Sequence, residues 1–140
     1  MNISELERLP QLQTKIRHER EKLAELRAEA YSTPAPVLSG MPKSRNIGRS
    51  RVEKYAVKIA ELEKRLERKE LEALRLERRI WDYTTENPDS EINVIVIYRF
   101  IFGMTWGKVA KAMSSSKAHF TESGVKTRFT RFWEAHPEDR

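Results

Sequence analysis

Apolar or small residues at Leu9, Leu12, Ile16, Leu23, Leu26 and Ala30 follow alternating steps of three and four, with Glu19 standing at one seam position. That spacing gathers side chains on one narrow helical face. It predicts an N-terminal amphipathic helix within residues 1–31, opening near Ser4, whose hydroxyl and Glu7 have the spacing of a capping box. The STPAP stretch that starts at Ser32 ends it, because prolines remove backbone donors and push their predecessors toward extended conformations. A second, longer seam runs through Val52, Tyr55, Ile59, Leu62, Leu66, Lys69, Ala73, Leu76, Ile80 and Tyr83, with Lys69 alone polar. It predicts one long heptad helix over 51–84, roughly 50 Å at about 1.5 Å per residue. So narrow and long a stripe needs another helix to cover it. Three arrangements satisfy this: a helical hairpin with the first helix folded back, a coiled-coil homodimer through the arm, or both.

Between the seams, residues 32–50 hold three of the six prolines and two of the five glycines and show no period. A basic Pro/Gly linker is expected there, with Lys43, Arg45 and Arg49 available to phosphates.

The pattern changes again after Tyr83. In TENPDSE, Asn87 is placed to cap a helix whose first position is Pro88, with Asp89 and Glu91 at the positive end of its dipole. The run INVIVIYRFIF has strand propensity, but its apolar residues occupy both parities, so a buried helix to Phe102 is predicted, ended by Gly103 in a left-handed cap. Thr105 caps a short helix, TWGKVAKAM, whose apolar face is Trp106, Val109, Ala110 and Met113. After Ser114 to Phe120, Thr121 caps a last helix whose inward stripe is Val125, Phe129, Phe132 or Trp133, and His136, with Pro137 at its end. The expected fold is all-α: a long coiled-coil or helical-hairpin arm followed by a small three-helix domain over 87–136.

Composition sharpens this division. Eight of the twelve aromatic residues lie between 98 and 133, enough for a compact core. The chain carries 27 Lys plus Arg against 21 Asp plus Glu, a net charge of +6. Residues 32–51 hold four bases and no acid, and residues 95–133 hold seven bases against Glu122 alone. The positive field on these two segments suits a polyanion.

On the wheel of the last helix, Ser123, Lys126, Thr127, Thr130 and Arg131 face away from the core and Arg128 lies at its margin. Short polar donors flanked by cations are the groups that reach base edges and phosphates. Lys108 and Lys111 on the short helix and Lys117 in the loop add to that field. Glu122 stands where it either accepts from a cytosine amino group or simply complements the helix dipole.

The pattern YRFIFGMTWGKVAKAM, followed by TESGVKTRFTRF, resembles the helix-turn-helix of phage and integrative-element regulators of the ArpU and RinA type, which look like region four of sigma factors. PVLSGMPKSRNIGRSRVEKYAVKIAELE is similar to the basic linker and long helix of such phage regulators. Together these cover roughly residues 36 to 134. The resemblance implies a sequence-specific transcriptional regulator that binds double-stranded DNA through a helix near 121–134, with host RNA polymerase as a further partner. DNA-binding residues would be Lys108, Lys117, Ser123, Lys126, Thr127, Arg128, Thr130 and Arg131, with Lys43, Arg45 and Arg49 in the linker. Two features depart from the pattern: seven residues, 114–120, stand where a compact motif has a short turn. Gly124 lies in the first turn of the reading helix, costing about 1 kcal/mol of propensity relative to Ala.

Other classes find less in the sequence. His18, His119 and His136 have no second ligand at metal-binding spacing, there is no phosphate loop or nucleophile motif, and no cysteine is present. No enzyme and no cofactor are expected. The opening MNISELERLPQLQTKIR lacks a signal-peptide core, and Val94 to Tyr98 is too short to cross a bilayer, so a cytoplasmic, nucleoid-associated protein with no membrane contact is expected. The alternative function is a small mobile-element protein that binds and modulates or inhibits a host protein complex through its arm.

Overall fold

The computed structural model describes residues 1–31 and 45–137, with side chains for all of these except 45–50. The protein is all-α, and no strand occurs among the described residues. The helices are α1 (Ile3–Tyr31), α2 (Arg45–Glu86), α3 (Ser90–Val96, continued by a π-helical turn, Ile97–Ile101), α4 (Trp106–Met113) and α5 (Glu122–Ala135). They make two compact units, one of Met1–Gln13 with Glu72–Arg140 and the other of Thr14–Leu71. Both α1 and α2 contribute residues to each.

α1 starts earlier than Ser4. Asn2 Oδ1 accepts the Glu5 N–H at 2.8 Å and Glu5 Oε2 accepts the Asn2 N–H at 3.1 Å, so the reciprocal cap is Asn2 with Glu5. The Ser4 and Glu7 pairing is therefore corrected: an amide two residues upstream reaches the same free donors first. Pro10 lies inside α1, and the helix continues past it. α2 is longer than 51–84 at both ends. Arg45 and Arg49 thus belong to its first turns and not to a loop, and Lys43 lies outside the described residues.

In the unit Thr14–Leu71 the two seams run antiparallel within one chain. Ile16 and Leu23 of α1 and Leu62 and Leu66 of α2 are buried. Arg20 pairs with Glu70 at 2.7 Å and Arg27 with Glu63 at 2.6 Å, while Lys69 meets Glu19. Within this unit the first helix folds back on the second, as in the hairpin arrangement.

The other unit has one hydrophobic core. Leu6, Leu9 and Leu12 of α1 and Leu76 and Ile80 of α2 join Ile92, Ile95, Val96 and Phe100 of α3 and its π turn, Val109 and Ala110 of α4, and Val125, Phe129, Phe132 and Trp133 of α5. The compact unit is therefore larger than 87–136. Three short helices have too little surface to enclose Trp133, and Tyr83 of α2 stacks on its indole with ring centres 5.8 Å apart. Ion pairs Arg79–Glu5 and Arg8–Glu72 border the same α1–α2 contact.

The run INVIVIYRFIF is helical, as its lack of alternation predicts, because tertiary burial of Ile92, Ile95, Val96 and Phe100 overrides strand propensity. Its cap differs from expectation. Asp89, not Asn87, accepts from the Ile92 N–H at 3.2 Å, and Pro88 stands before the cap, outside the helix. Asn87 instead exchanges hydrogen bonds with the Asn93 side chain, donating to Asn93 Oδ1 at 2.9 Å and accepting at its carbonyl from Asn93 Nδ2 at 2.8 Å. At the far end the chain turns through Gly103, φ +68°, the left-handed position that favours glycine, and the Met104 N–H closes onto the Tyr98 carbonyl at 3.0 Å.

Candidate nucleic-acid interface

α4 and α5 carry the residues that the sequence singles out, and local hydrogen bonds fix both. Thr105 accepts the Lys108 N–H at 3.3 Å and Thr121 accepts the Gly124 N–H at 3.1 Å, each serving as the N-cap expected of it. Gly124 has a reason to be glycine, since a Cβ there would stand 2.8 Å from Thr121 Oγ1. The missing side chain leaves room for the cap hydroxyl.

The seven residues between the helices form a hydrogen-bonded turn. Ser114 Oγ accepts the Phe120 N–H at 3.0 Å and lies 2.8 Å from the Ala110 carbonyl, tying the end of α4 to the approach to α5. Ser115 Oγ accepts from the Lys117 and Ala118 N–H groups, both at 3.3 Å, and the Ser115 N–H donates to the Ala118 carbonyl at 2.7 Å. Serine hydroxyls thus fix this longer turn by hydrogen bonds to its backbone. The run of three serines was the sequence signal for it.

Aromatic packing sets α5 from below. Phe129 has Trp106 of α4 at 5.3 Å, Phe100 at 5.5 Å and Trp133 at 6.0 Å between ring centres. Val125, Phe129, Phe132 and Trp133 are all buried, so both residues of the Phe132/Trp133 pair face inward. His136 is half-buried, its ring stacked on Phe132 at 4.2 Å.

Ser123, Lys126, Thr127, Thr130 and Arg131 are all exposed on α5, as are Lys108 and Lys111 on α4 and Lys117 in the turn. The ridge of α5 divides them. Ser123, Thr127 and Arg131 line a cavity of about 480 Å³ that also receives His119 from the turn. Lys126 and Thr130 line another of about 450 Å³ on the opposite flank, shared with Arg99, Trp106 and, from α1, Glu7 and Gln11. The nearness of α1 to this flank was not readable from the sequence, because it depends on the return of α1 to the shared core. Thr130 Oγ1 donates to the Lys126 carbonyl at 2.9 Å, leaving its lone pairs as the outward-facing chemistry.

Two of the seven bases in 95–133 have structural partners. Arg128 is only half-exposed and binds Asp89 Oδ2 at 2.6 Å and Glu91 Oε1 at 3.4 Å, fastening α5 to the start of α3. Its guanidinium thus serves two carboxylates, while its side chain still borders the cavity lined by Ser123, Thr127 and Arg131. Burial works to raise the Asp89 carboxyl, but the Arg128 hydrogen bond and charge, with the Ile92 and Glu91 N–H groups, outweigh it and hold the pKa below its ordinary value. Arg99 lies over the Trp106 ring at 4.9 Å and donates to the Met104 carbonyl at 2.9 Å. Lys108, Lys111, Lys117, Lys126 and Arg131 carry the remaining positive charge, with Glu122 and Glu134 also exposed on α5.

Among the described residues no group of three or more His, Asp or Glu side chains is placed to hold a metal, and no helix is long and apolar enough to cross a membrane. Neither a protein-family model, nor a curated protein, nor a solved structure matches the chain.

Proposed function

We propose that the protein is a sequence-specific regulator of transcription in a phage or mobile element, binding double-stranded DNA with α5 as its reading helix. The observation that carries this reading is the pairing of α4 and α5 through a serine-bonded turn on an aromatic core, with Ser123, Lys126, Thr127 and Arg131 facing outward. A helix held in that way presents short polar side chains to base edges while neighbouring cations meet the phosphates. Lys108 and Lys117 would contact the backbone on either side of the groove. The sequence resemblance to ArpU- and RinA-type regulators supports the same reading, and its sigma-like character extends it to contact with host RNA polymerase. Such a protein works in the cytoplasm, at the nucleoid.

The test is selection of bound duplexes from a random pool, followed by retardation assays on the recovered site at increasing salt. The reading expects one enriched sequence and an affinity that falls linearly on a log–log plot against salt as counterions are released. Failure to enrich any sequence, together with no retardation at low salt, rejects it. A host protein captured in stoichiometric amount after nuclease treatment would then favour the modulator of a host complex.

A further inference from the structure

The face of α2 opposite its seam has no partner among the described residues. Within the unit formed by Met1–Gln13 and Glu72–Arg140, Leu76 and Ile80 are buried on one side of this helix, while Leu74 is 64 % exposed and Trp81 41 % exposed on the other. At about 100° per residue, Leu74, Arg78, Trp81 and Thr85 fall within an arc of roughly 60°. An exposed leucine and indole one heptad apart make a surface with the form of a helix-pairing stripe.

The charges beside the stripe indicate what covers it. Arg75 and Asp82 lie a heptad apart on the same flank, both exposed and of opposite sign. The ion pairs of this unit engage the Met1 amino group and Arg79 with Glu5, Arg8 with Glu72, and Arg128 with Asp89 and Glu91, and leave Arg75, Arg78 and Asp82 without one among the described residues. We infer that the stripe docks a second copy of this chain, antiparallel, about a twofold axis passing near residue 79. Under that symmetry a flank faces itself, so Arg75 meets Asp82 of the second copy and Asp82 meets its Arg75. Arg78 comes over Trp81 of the second copy, twice, as a cation over an indole face. A parallel pairing would set Glu77 beside Asp82 of the second copy, two like charges. The antiparallel pairing thus matches the Arg75–Asp82 flank with its own copy on both sides of the axis. It differs from the seam, which α1 of the same chain already fills, and the inference does not depend on DNA binding.

Sedimentation equilibrium of the full chain, without DNA, tests it. The protein should dimerise, and Arg75→Asp and Asp82→Arg should each weaken the dimer by roughly tenfold or more, as loss of a paired interface charge does. Combining the two exchanges the partners without changing the match, so Arg75→Asp/Asp82→Arg should recover the dimer. Trp81→Ala should also weaken it; if that variant loses helical circular dichroism, the charge exchange still decides the matter. A chain that sediments as a monomer at every concentration overturns the inference. So does a dimer indifferent to both single charge changes, or one that the double exchange fails to restore.

Discussion

Glu19 and Lys69 meet: the Lys69 ammonium donates to Glu19 Oε1. Each is the polar exception in its own heptad seam, and the antiparallel pairing of α1 with α2 brings the two together. A hairpin shifted by one turn would set each of them against an apolar side chain. The pair therefore selects register as a polar residue in a coiled-coil core does.

Removal of one partner should cost more than removal of both. The Glu19 side chain is 17 % exposed and its Oε2 is buried without a hydrogen bond, so Lys69→Leu leaves a largely desolvated carboxylate alone. A loss of about 2 kcal/mol in urea unfolding is expected. Glu19→Leu combined with Lys69→Leu should recover most of it, because two leucines fill the layer without a charge. Equal destabilisation of the single and double variants would remove the pair from any role in setting register.

A second coupled pair lies at the start of α5. Thr121→Ala should cost about 1 kcal/mol by freeing the Gly124 N–H. Gly124→Ala should be close to neutral in the native background, since about 1 kcal/mol of helix propensity is offset by displacement of the cap hydroxyl 2.8 Å from the new Cβ. In the Thr121→Ala background that displacement has nothing to lose, and Gly124→Ala should stabilise by about 1 kcal/mol. Thermal unfolding of the four proteins measures the coupling, and additivity would disprove it.

Residues whose roles are settled within one or two turns were legible in the sequence. Thr105 and Thr121 cap, Gly103 takes the left-handed turn, and Val125 and Phe129 face inward because each depends on neighbours a few positions away. The misread cap of α3 shows the limit. Asn87 and Asp89 both have capping side chains, and the choice falls to Asp89, which Arg128 holds from 39 residues away. The same long-range pairing ties Arg128, at the margin of α5, to the start of α3, and the return of α1 to the aromatic core brings Glu7 and Gln11 beside Lys126. Periodicity identifies which face of a helix is apolar, but not which distant helix covers it.

Stability should fall in acid through two carboxyls in particular. Asp89 and Glu5 both have pKa values lowered in the folded protein. Burial opposes the shift in each case, and Arg128 or Arg79, with backbone donors, overcomes it. A carboxyl with a lowered folded pKa binds fewer protons folded than unfolded, so stability rises with pH across its titration. The contribution is complete above the ordinary values, 3.8 for Asp89 and 4.5 for Glu5, and disappears as pH falls below them through the folded values. Arg128→Ala should therefore reduce stability near neutrality and show a shallower loss on acidification than the native protein. Urea midpoints measured from about pH 6 to pH 2 give both slopes, and parallel slopes would show that Arg128 does not set the Asp89 titration.

The two halves of α5 should separate when stability and DNA affinity are measured on the same variants. Phe129→Ala removes the ring between Trp106, Phe100 and Trp133 and should destabilise the unit by about 3–5 kcal/mol. Lys126→Ala and Arg131→Ala remove exposed side chains and should leave unfolding nearly unchanged. Each should weaken DNA binding, and one that meets a phosphate lowers the magnitude of the salt slope by about 1. Arg128→Ala provides the control between them. Its side chain is 39 % exposed, so the loss of stability should be only about 1 kcal/mol after solvent screening, with the salt slope unaltered because its charge is already matched by Asp89 and Glu91. If instead Arg128→Ala lowers the slope while Lys126→Ala and Arg131→Ala do not, DNA approaches from the α3 side and α5 is not the reading helix.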